Sequence, residues 1–477
     1  MELIQTIDIR AAKKPYSEVK FLDALKKQNA LFTSDDVLYL RLENNLAHIV
    51  PAGNSGQLML RRHLLSSEAS RMISQQALDN AIKNIMVDPE FEAKGLSIAN
   101  DKVLWNNGIL NLLNGEFTDG DATSLDGGAS PSVIYLYKIN ADYIKGASIE
   151  DASSFMQYLE TSLVDDSILL LLEALGYILS PTQKMKKAVF LIGKPNTGKS
   201  LILELIRRLL GKKVISELDL TQISQTNGNV SLLNKQCNIS EDFGSTNRFN
   251  LSEFKRAVGN EHLTMSNKYE RIITAPVRAK FIVAGNAFPR IPINELPPFI
   301  ERILLIPFIK EIPMDKRDPK LIEKLMSEKD VIASVLVNSF IHVLENGFTT
   351  SSTSERMLKD LINEVNPTKA FIEDCIVSNP SGYIRSQDFK LLLKAYCSAN
   401  GYDMPKMMNA RHELMQSFSI AVVRQRFPSD LGNVRAFKGV SFKKNEIQSL
   451  DSNYALGIDC LLVDEEDGEK ECDKNED

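Results

Sequence analysis

The chain of 477 residues holds one tryptophan, five cysteines and five histidines. Cys237, Cys375, Cys397, Cys460 and Cys472 are scattered, no Cys-x-x-Cys occurs, and the histidines do not gather beside them. That spacing excludes the usual zinc modules, and an odd number of thiols without a disulfide framework suits a reducing cytoplasm. Long apolar runs are missing too. The greasiest stretch, Ile168 to Leu175, is interrupted by Glu173 and is far shorter than the ~20 residues a membrane helix requires. The opening MELIQTIDIR lacks the basic-then-apolar order of a secretory signal. No internal repeat is present. What remains is 43% hydrophobic and 25% charged, the composition of a soluble globular protein. It is too long for one core, so several domains are expected.

The net charge of −6 conceals an uneven distribution. Residues 464–477 carry nine acids and two lysines, a net −7, which leaves the rest at +1. Residues 366–446 carry twelve Lys/Arg against seven Asp/Glu, a net +5. Nucleic acid responds to local basic surface, not to the sum, so a DNA partner stays open.

Patterning divides the chain into a mixed N-terminal α+β domain (1–150), a helical region (151–185), an α/β domain with a helical lid (186–350), a polar linker (351–365), a small α+β module (366–446) and an acidic tail (447–477). The expected fold class is multidomain α/β, because strand-length apolar runs alternate with helical periods from 186 to 310. Residues 67–87 read as a polar helix, and 115–131, rich in Gly, Asp and Ser, as a loop.

One motif carries chemistry. Lys187-Ala-Val-Phe-Leu-Ile192 reads as a strand, followed by Gly193-Lys194-Pro195-Asn196-Thr197-Gly198-Lys199-Ser200, a match to the P-loop pattern. A helix then places Ile202, Leu205, Ile206 and Leu209 on one face. The glycines let backbone N–H groups turn toward phosphate oxygens, and the helix N-terminus adds partial positive charge. Lys199 can reach the β- and γ-phosphates and Ser200 can ligate Mg²⁺, so ATP with Mg²⁺ is the expected ligand.

Hydrolysis also requires an acid for the metal, a group for the water and a cation for the developing charge. Glu241 and Asp242 end a strand about forty residues on. One would serve Mg²⁺ and the other the water; Glu241 is favoured for the metal, with the reverse open. Lys280-Phe-Ile-Val-Ala-Gly285 ends in Asn286, an amide able to hold the water. Arg302 precedes the apolar run Ile303–Phe308 and is a candidate finger for a neighbouring subunit's ATP.

This order resembles the superfamily 3 helicases, most closely the phage/plasmid primase and poxvirus-type helicase–primase group. The resemblance spans roughly 100–446 and rests on the P-loop, Lys255, Gly259, Lys268, Asn286 with Pro289, Arg302 and Ile306-Pro307-Phe308. Upstream, Trp105 to Gly115 and Gly176-Tyr177 match as well. Asn260 stands where the group usually has Asp, and Glu301 where a second Arg is common. The resemblance implies an AAA+ ATPase core, a collar at 151–185 on which six copies assemble, and 3′-to-5′ travel on single-stranded or forked DNA. It also implies a hairpin within 259–284 whose Lys268 touches the DNA backbone, with Tyr269 a candidate for base stacking. Asp119 and Asp121 lie in a Gly-rich turn and no primase activity is expected; a separate primase or polymerase would be the partner.

Residues 366–446 resemble the winged-helix module of that group, with Arg411 on a helix and Arg424, Arg426 and Arg435 on wing strands available to duplex DNA. Two other readings fit the same motifs. The chain could be an origin-binding initiator that uses ATP as an assembly switch, or a regulatory P-loop ATPase that does not act on DNA.

Overall fold

The computed structural model describes residues 22–23, 25–26, 30–34, 37–42, 46–50, 54–65, 73–92, 97–120, 133–223, 229–241, 250–265, 273–289, 291–292, 295–427, 432–443 and 462–463. Asp121, Asp242, Lys268, Tyr269 and the acidic residues from 464 onward lie outside them. The chain forms two compact units, Met1–Arg290 with Pro297–Glu355, and Ile291–Leu296 with Arg356–Asp477.

The first unit opens with an antiparallel sheet of β1 (Leu31–Ser34), β2 (Val37–Arg41) and β3 (Ala47–Ile49). Helices α1 (Asn54–Leu64) and α2 (Gln75–Val87) share a core with it around Leu40, Leu60, Leu78 and Ile85. The helix expected over 67–87 begins, within the described residues, at Gln75, where the Ser74 hydroxyl accepts from Ala77 N–H at 3.1 Å. A meander follows, β4 (Lys102–Leu104), β5 (Gly108–Asn111) and β6 (Phe117–Asp119). The start of the expected 115–131 loop is therefore strand.

Helices α3 (Ser153–Ser162) and α4 (Asp165–Leu179) precede the central sheet. That sheet contains β7 (Ala188–Ile192), β8 (Ile215–Ser216), β9 (Cys237–Glu241), β12 (Lys280–Gly285) and β13 (Ile303–Pro307), all parallel, in the order β8-β9-β12-β7-β13. Strands buried on both faces read as continuous apolar runs, and all residues of β7, β12 and β13 are buried. Helix α5 (Lys199–Leu210) returns from β7 with Ile202, Leu205, Ile206 and Leu209 inward, and α6 (Leu251–Val258) leads to a hairpin of β10 (His262–Met265) and β11 (Ile273–Pro276). The hairpin foreseen within 259–284 is thus present, with its tip outside the described residues.

Helices α7 (Leu321–Ser327) and α8 (Lys329–Asn346) complete the unit. α4 and α8 approach so closely that a Cβ on Gly176 would lie 1.9 Å from the Leu336 carbonyl oxygen. Glu173, the charge that interrupts the apolar run, is buried on α4. Its carboxylate accepts from Thr349 N–H (2.8 Å) and Oγ1 (2.7 Å), which offsets the cost of burying it. The sequence suggested separate domains for 1–150, 151–185 and 186–350. Instead Trp105, Leu110, Ile139, Phe155 and Leu175 join the core of the parallel sheet, and Tyr137 Oη donates to Leu179 O (2.6 Å). Apolar side chains from all three segments thus bury one another.

The expected linker is a helix, α9 (Ser352–Val365), and the division between the units falls inside it. Polar composition misled here because the polar atoms are used. Asp166 accepts from Ser351 Oγ (3.1 Å), Ser352 Oγ (2.9 Å) and Thr353 N–H (3.0 Å), and these bonds hold its carboxyl at about 2 against the opposing effect of burial.

The second unit continues with α10 (Pro367–Cys375), β14 (Ile376–Arg385), α11 (Ser386–Asn400), α12 (Met407–Ser417), β15 (Val422–Gln425), β16 (Val434–Lys443) and β17 (Leu462–Val463). Its sheet runs β14-β16-β15, with β17 beside β16. Phe371, Phe389, Phe437 and Phe442 fill the core. Arg411 is on a helix and Arg424 and Arg435 are on strands as the sequence suggests, while Arg426 lies one residue past β15; β14, with its Asn-Pro-Ser-Gly interruption, does not announce itself in the sequence. Among the described residues no helix is long and apolar enough to cross a membrane, and Cys237, Cys375 and Cys397 are buried.

Candidate functional site

The P-loop leaves β7, which lies between β12 and β13 in the parallel sheet. Phe308 N–H donates to Ile192 O (2.7 Å) and Gly193 N–H to Gly285 O (3.1 Å), which pins the start of the turn between β12 and β13. A Cβ on Gly193 would lie 1.9 Å from the Phe308 carbonyl oxygen, so only glycine fits. Asn196 and Gly198 take positive φ, 62° and 97°, the conformations that turn backbone N–H groups toward an anion. Tyr158, buried on α3, donates from Oη to Gly198 O (2.9 Å), and burial holds its phenol well above the usual range. Lys199 Nζ reaches Gly193 O (2.6 Å), Lys194 O (2.7 Å) and Asn286 Oδ1 (3.5 Å).

Strand register brings the distant residues in. β9 lies beside β12 and β12 beside β7, pairing Glu241 with Ala284 and Gly285 with Ile192. Glu241, Asn286 and the P-loop thus end at one edge of the sheet. They line a cleft of about 1000 Å³ together with Ser200, Tyr158 and Arg317. A partner absent from the sequence reading is Arg207 on α5. Its guanidinium meets Glu241 (2.5 Å) and Glu217 (2.8 Å); burial works against its charge, and the two carboxylates raise its pKa overall. Its place near the end of a helix reads in sequence as dipole compensation, and only the fold shows that it faces an acid thirty-four residues on.

The donor set fits a nucleoside triphosphate with Mg²⁺. The cradle has its two left-handed residues, a twelve-residue helix starts at Lys199, and Ser200 and Glu241 share the cleft. Arg302 does not line it. Its carbonyl accepts from Ala188 N–H (2.8 Å), so it sits at the opposite end of the sheet, roughly 16 Å away along a five-residue strand. There, burial first and the Arg302 charge second lower the pKa of Lys187. Within this chain Arg302 does not reach the P-loop.

In the second unit, Arg411, Arg424, Arg426 and Arg435 enter no ion pair among the described residues. Arg424 and Arg435 are direct cross-strand partners, both exposed. Arg411 Nε is buried without a hydrogen-bond partner, and Arg411 shares a concave surface of about 680 Å³ with Met408, His412 and Arg435.

Residues 191–297, from the P-loop strand past Asn286, match a family of unknown function (DUF5906). No curated protein matches the chain. Solved structures similar to it include the A form apo structure of the NrS-1 C terminal region, at 11% identity over 88% of this chain and 99% of that one, with a TM-score of 0.47. Another, the apo structure of NrS-1 C terminal region 305–718, is 13% identical over 89% of this chain and 99% of that one, with a TM-score of 0.45.

Proposed function

We propose that this chain is a nucleoside-triphosphate-driven DNA motor, a ring helicase of the superfamily 3 type serving replication initiation. The observation that carries the reading is the meeting of Lys199, Ser200, Glu241 and Asn286 at one sheet edge around a cleft large enough for ATP. The P-loop N–H groups and α5 would hold the phosphates, with Lys199 exchanging its loop carbonyls for phosphate oxygens. Mg²⁺, bound by Ser200 Oγ and a strand-end carboxylate, would supply charge neutralisation on the phosphates. Asn286 would orient the lytic water, and whichever of Glu241 and Asp242 is not on the metal would polarise it.

The placement of Arg302 at the far end of the sheet supports its role as a finger acting on a neighbour's nucleotide, and with it an AAA+ ring of six copies. Lys268, which falls in sequence between β10 and β11, would grip single-stranded DNA as a point charge, and Arg411, Arg424, Arg426 and Arg435 would contact duplex or forked DNA. Priming would fall to a separate primase or polymerase, in the cytoplasm of a host cell. The unpartnered Arg424–Arg435 pair favours a DNA role over a purely regulatory ATPase, because like charges facing each other destabilise a strand pair unless a phosphate lies between them. An origin-binding initiator using ATP as an assembly switch shares these features and differs in lacking unwinding.

Fork unwinding by the purified protein separates motor from switch. Lys199→Ala is expected to abolish ATP hydrolysis while the second unit stays folded. Hydrolysis at the unaltered rate in that variant would remove the site. Electron microscopy with an ATP analogue and forked DNA tests the ring.

A further inference from the structure

One wall of the cleft is a loop whose sequence carries no recognised motif. From Ile309 to Asp318 the chain leaves β13, passes beside the P-loop and enters α7. Ile312 is its joint. The N–H of Ile312 donates to Asn196 O (3.0 Å), and its carbonyl accepts from Arg317 Nε (3.0 Å). A turn at Met314–Lys316 closes the loop, with Arg317 N–H on Met314 O (3.3 Å). Just beyond, Asp318 Oδ1 accepts from Lys320 N–H (2.8 Å) and its carboxylate pairs with Lys324 (2.6 Å) on α7. Arg317 therefore stands on a continuous path of hydrogen bonds and chain from the P-loop turn to the first lid helix.

Arg317 lines the cleft, is exposed, and enters no ion pair among the described residues. The neighbouring carboxylate, Asp318, is engaged by Lys324. One guanidinium nitrogen is used on Ile312, and the planar fork of the other two is available for oxygen ligands. A guanidinium without a carboxylate, in a cleft that already gathers Lys199, suits the oxygens of a polyphosphate. Resting on the nucleotide reading above, we infer that Arg317 binds the nucleotide's phosphates within its own protomer, a role distinct from that of Arg302.

The test compares Arg317→Ala and Arg317→Lys with the unaltered chain in titrations of fluorescent ATP and ADP analogues with Mg²⁺. Arg317→Ala is expected to weaken ATP-analogue binding about tenfold to a hundredfold, the range of a charge-assisted bond. Arg317→Lys keeps the charge but loses both the planar fork and the bond to Ile312, and is expected to bind more tightly than Arg317→Ala and less tightly than the unaltered chain. Equal losses in both would make the arginine a prop for the Ile312 loop, and unaltered binding in both would leave the phosphates to Lys199; either result overturns the assignment. Lys199→Ala, measured alongside, separates the two levels. If it too binds like the unaltered chain, the nucleotide reading fails; if it alone loses binding, only the assignment of Arg317 fails.

Discussion

Tyr158→Phe removes one oxygen and tests whether α3 supports the P-loop. The hydroxyl is buried and donates to Gly198 O at 2.9 Å. Gly198 O also accepts from Leu201 N–H at 2.9 Å, so the substitution does not leave it without a partner. The cost therefore sits at the lower end of the range for a lost hydrogen bond, about 1 kcal/mol. For a unit of this size that corresponds to a fall in melting temperature of about 2 °C. If the full amount is expressed in the loop's ability to close on phosphate, nucleotide affinity falls at most about fivefold. Thermal unfolding without nucleotide and titration with a fluorescent ATP analogue read the two effects separately. An unchanged melting temperature would refute the support role. A hundredfold loss of affinity would refute the reasoning differently, since a bond of this kind does not carry so much.

Two further outcomes follow from buried or facing cations. Lys280 is buried, donates to Ser180 O (2.5 Å) and lies 5.2 Å over the Tyr177 ring; burial pulls its pKa from 10.5 to about 7. Between those values the unfolded chain holds a proton that the folded chain lacks, so stability rises with pH across that window, by at most about 1.4 kcal/mol per pH unit, and levels off below it. Lys280→Met is expected to remove that slope and to be neutral or stabilising at neutral pH, because Ser180 O keeps Gln236 Nε2 at 2.7 Å. Denaturant unfolding at several pH values checks this, and an unchanged slope would count against it. Arg424→Ala is expected to stabilise the second unit by roughly 0.2–1 kcal/mol through relief of the cross-strand repulsion while weakening DNA binding and its salt dependence. Binding at full strength in that variant would take the wing out of the interface.

The strands that carry the site were legible because they are buried on both faces. Ala188–Ile192 and Ile303–Pro307 are apolar throughout and Lys280–Gly285 is apolar after its first residue; the first leads into the P-loop, the second into Asn286, and Arg302 precedes the third. Helix α5 was legible from its inward face. At 351–365 polarity reads as solvation, and the division between the units does fall there, but the stretch is helical and Ser351, Ser352 and Thr353 direct polar atoms at Asp166. Periodicity likewise shows which residues are buried but not against what, as for Trp105 and Phe155 in the core of the parallel sheet. Arg207 and Arg317 do not stand out in the sequence because each is held by a partner that folding supplies, Glu241 for one and the Ile312 carbonyl for the other.

The sequence by itself determined the local chemistry: a glycine-bounded turn between an apolar strand and an amphipathic helix, because backbone freedom and helix polarity are properties of neighbouring residues. It also determined which residues would be strand ends. Only the tertiary structure decided that three of those ends share one edge while Arg302 lies at the other, because strand order and direction follow from how helices cover the sheet. It likewise decided which cations face the cleft, since a long side chain's partner is set by packing at distances the local pattern does not encode.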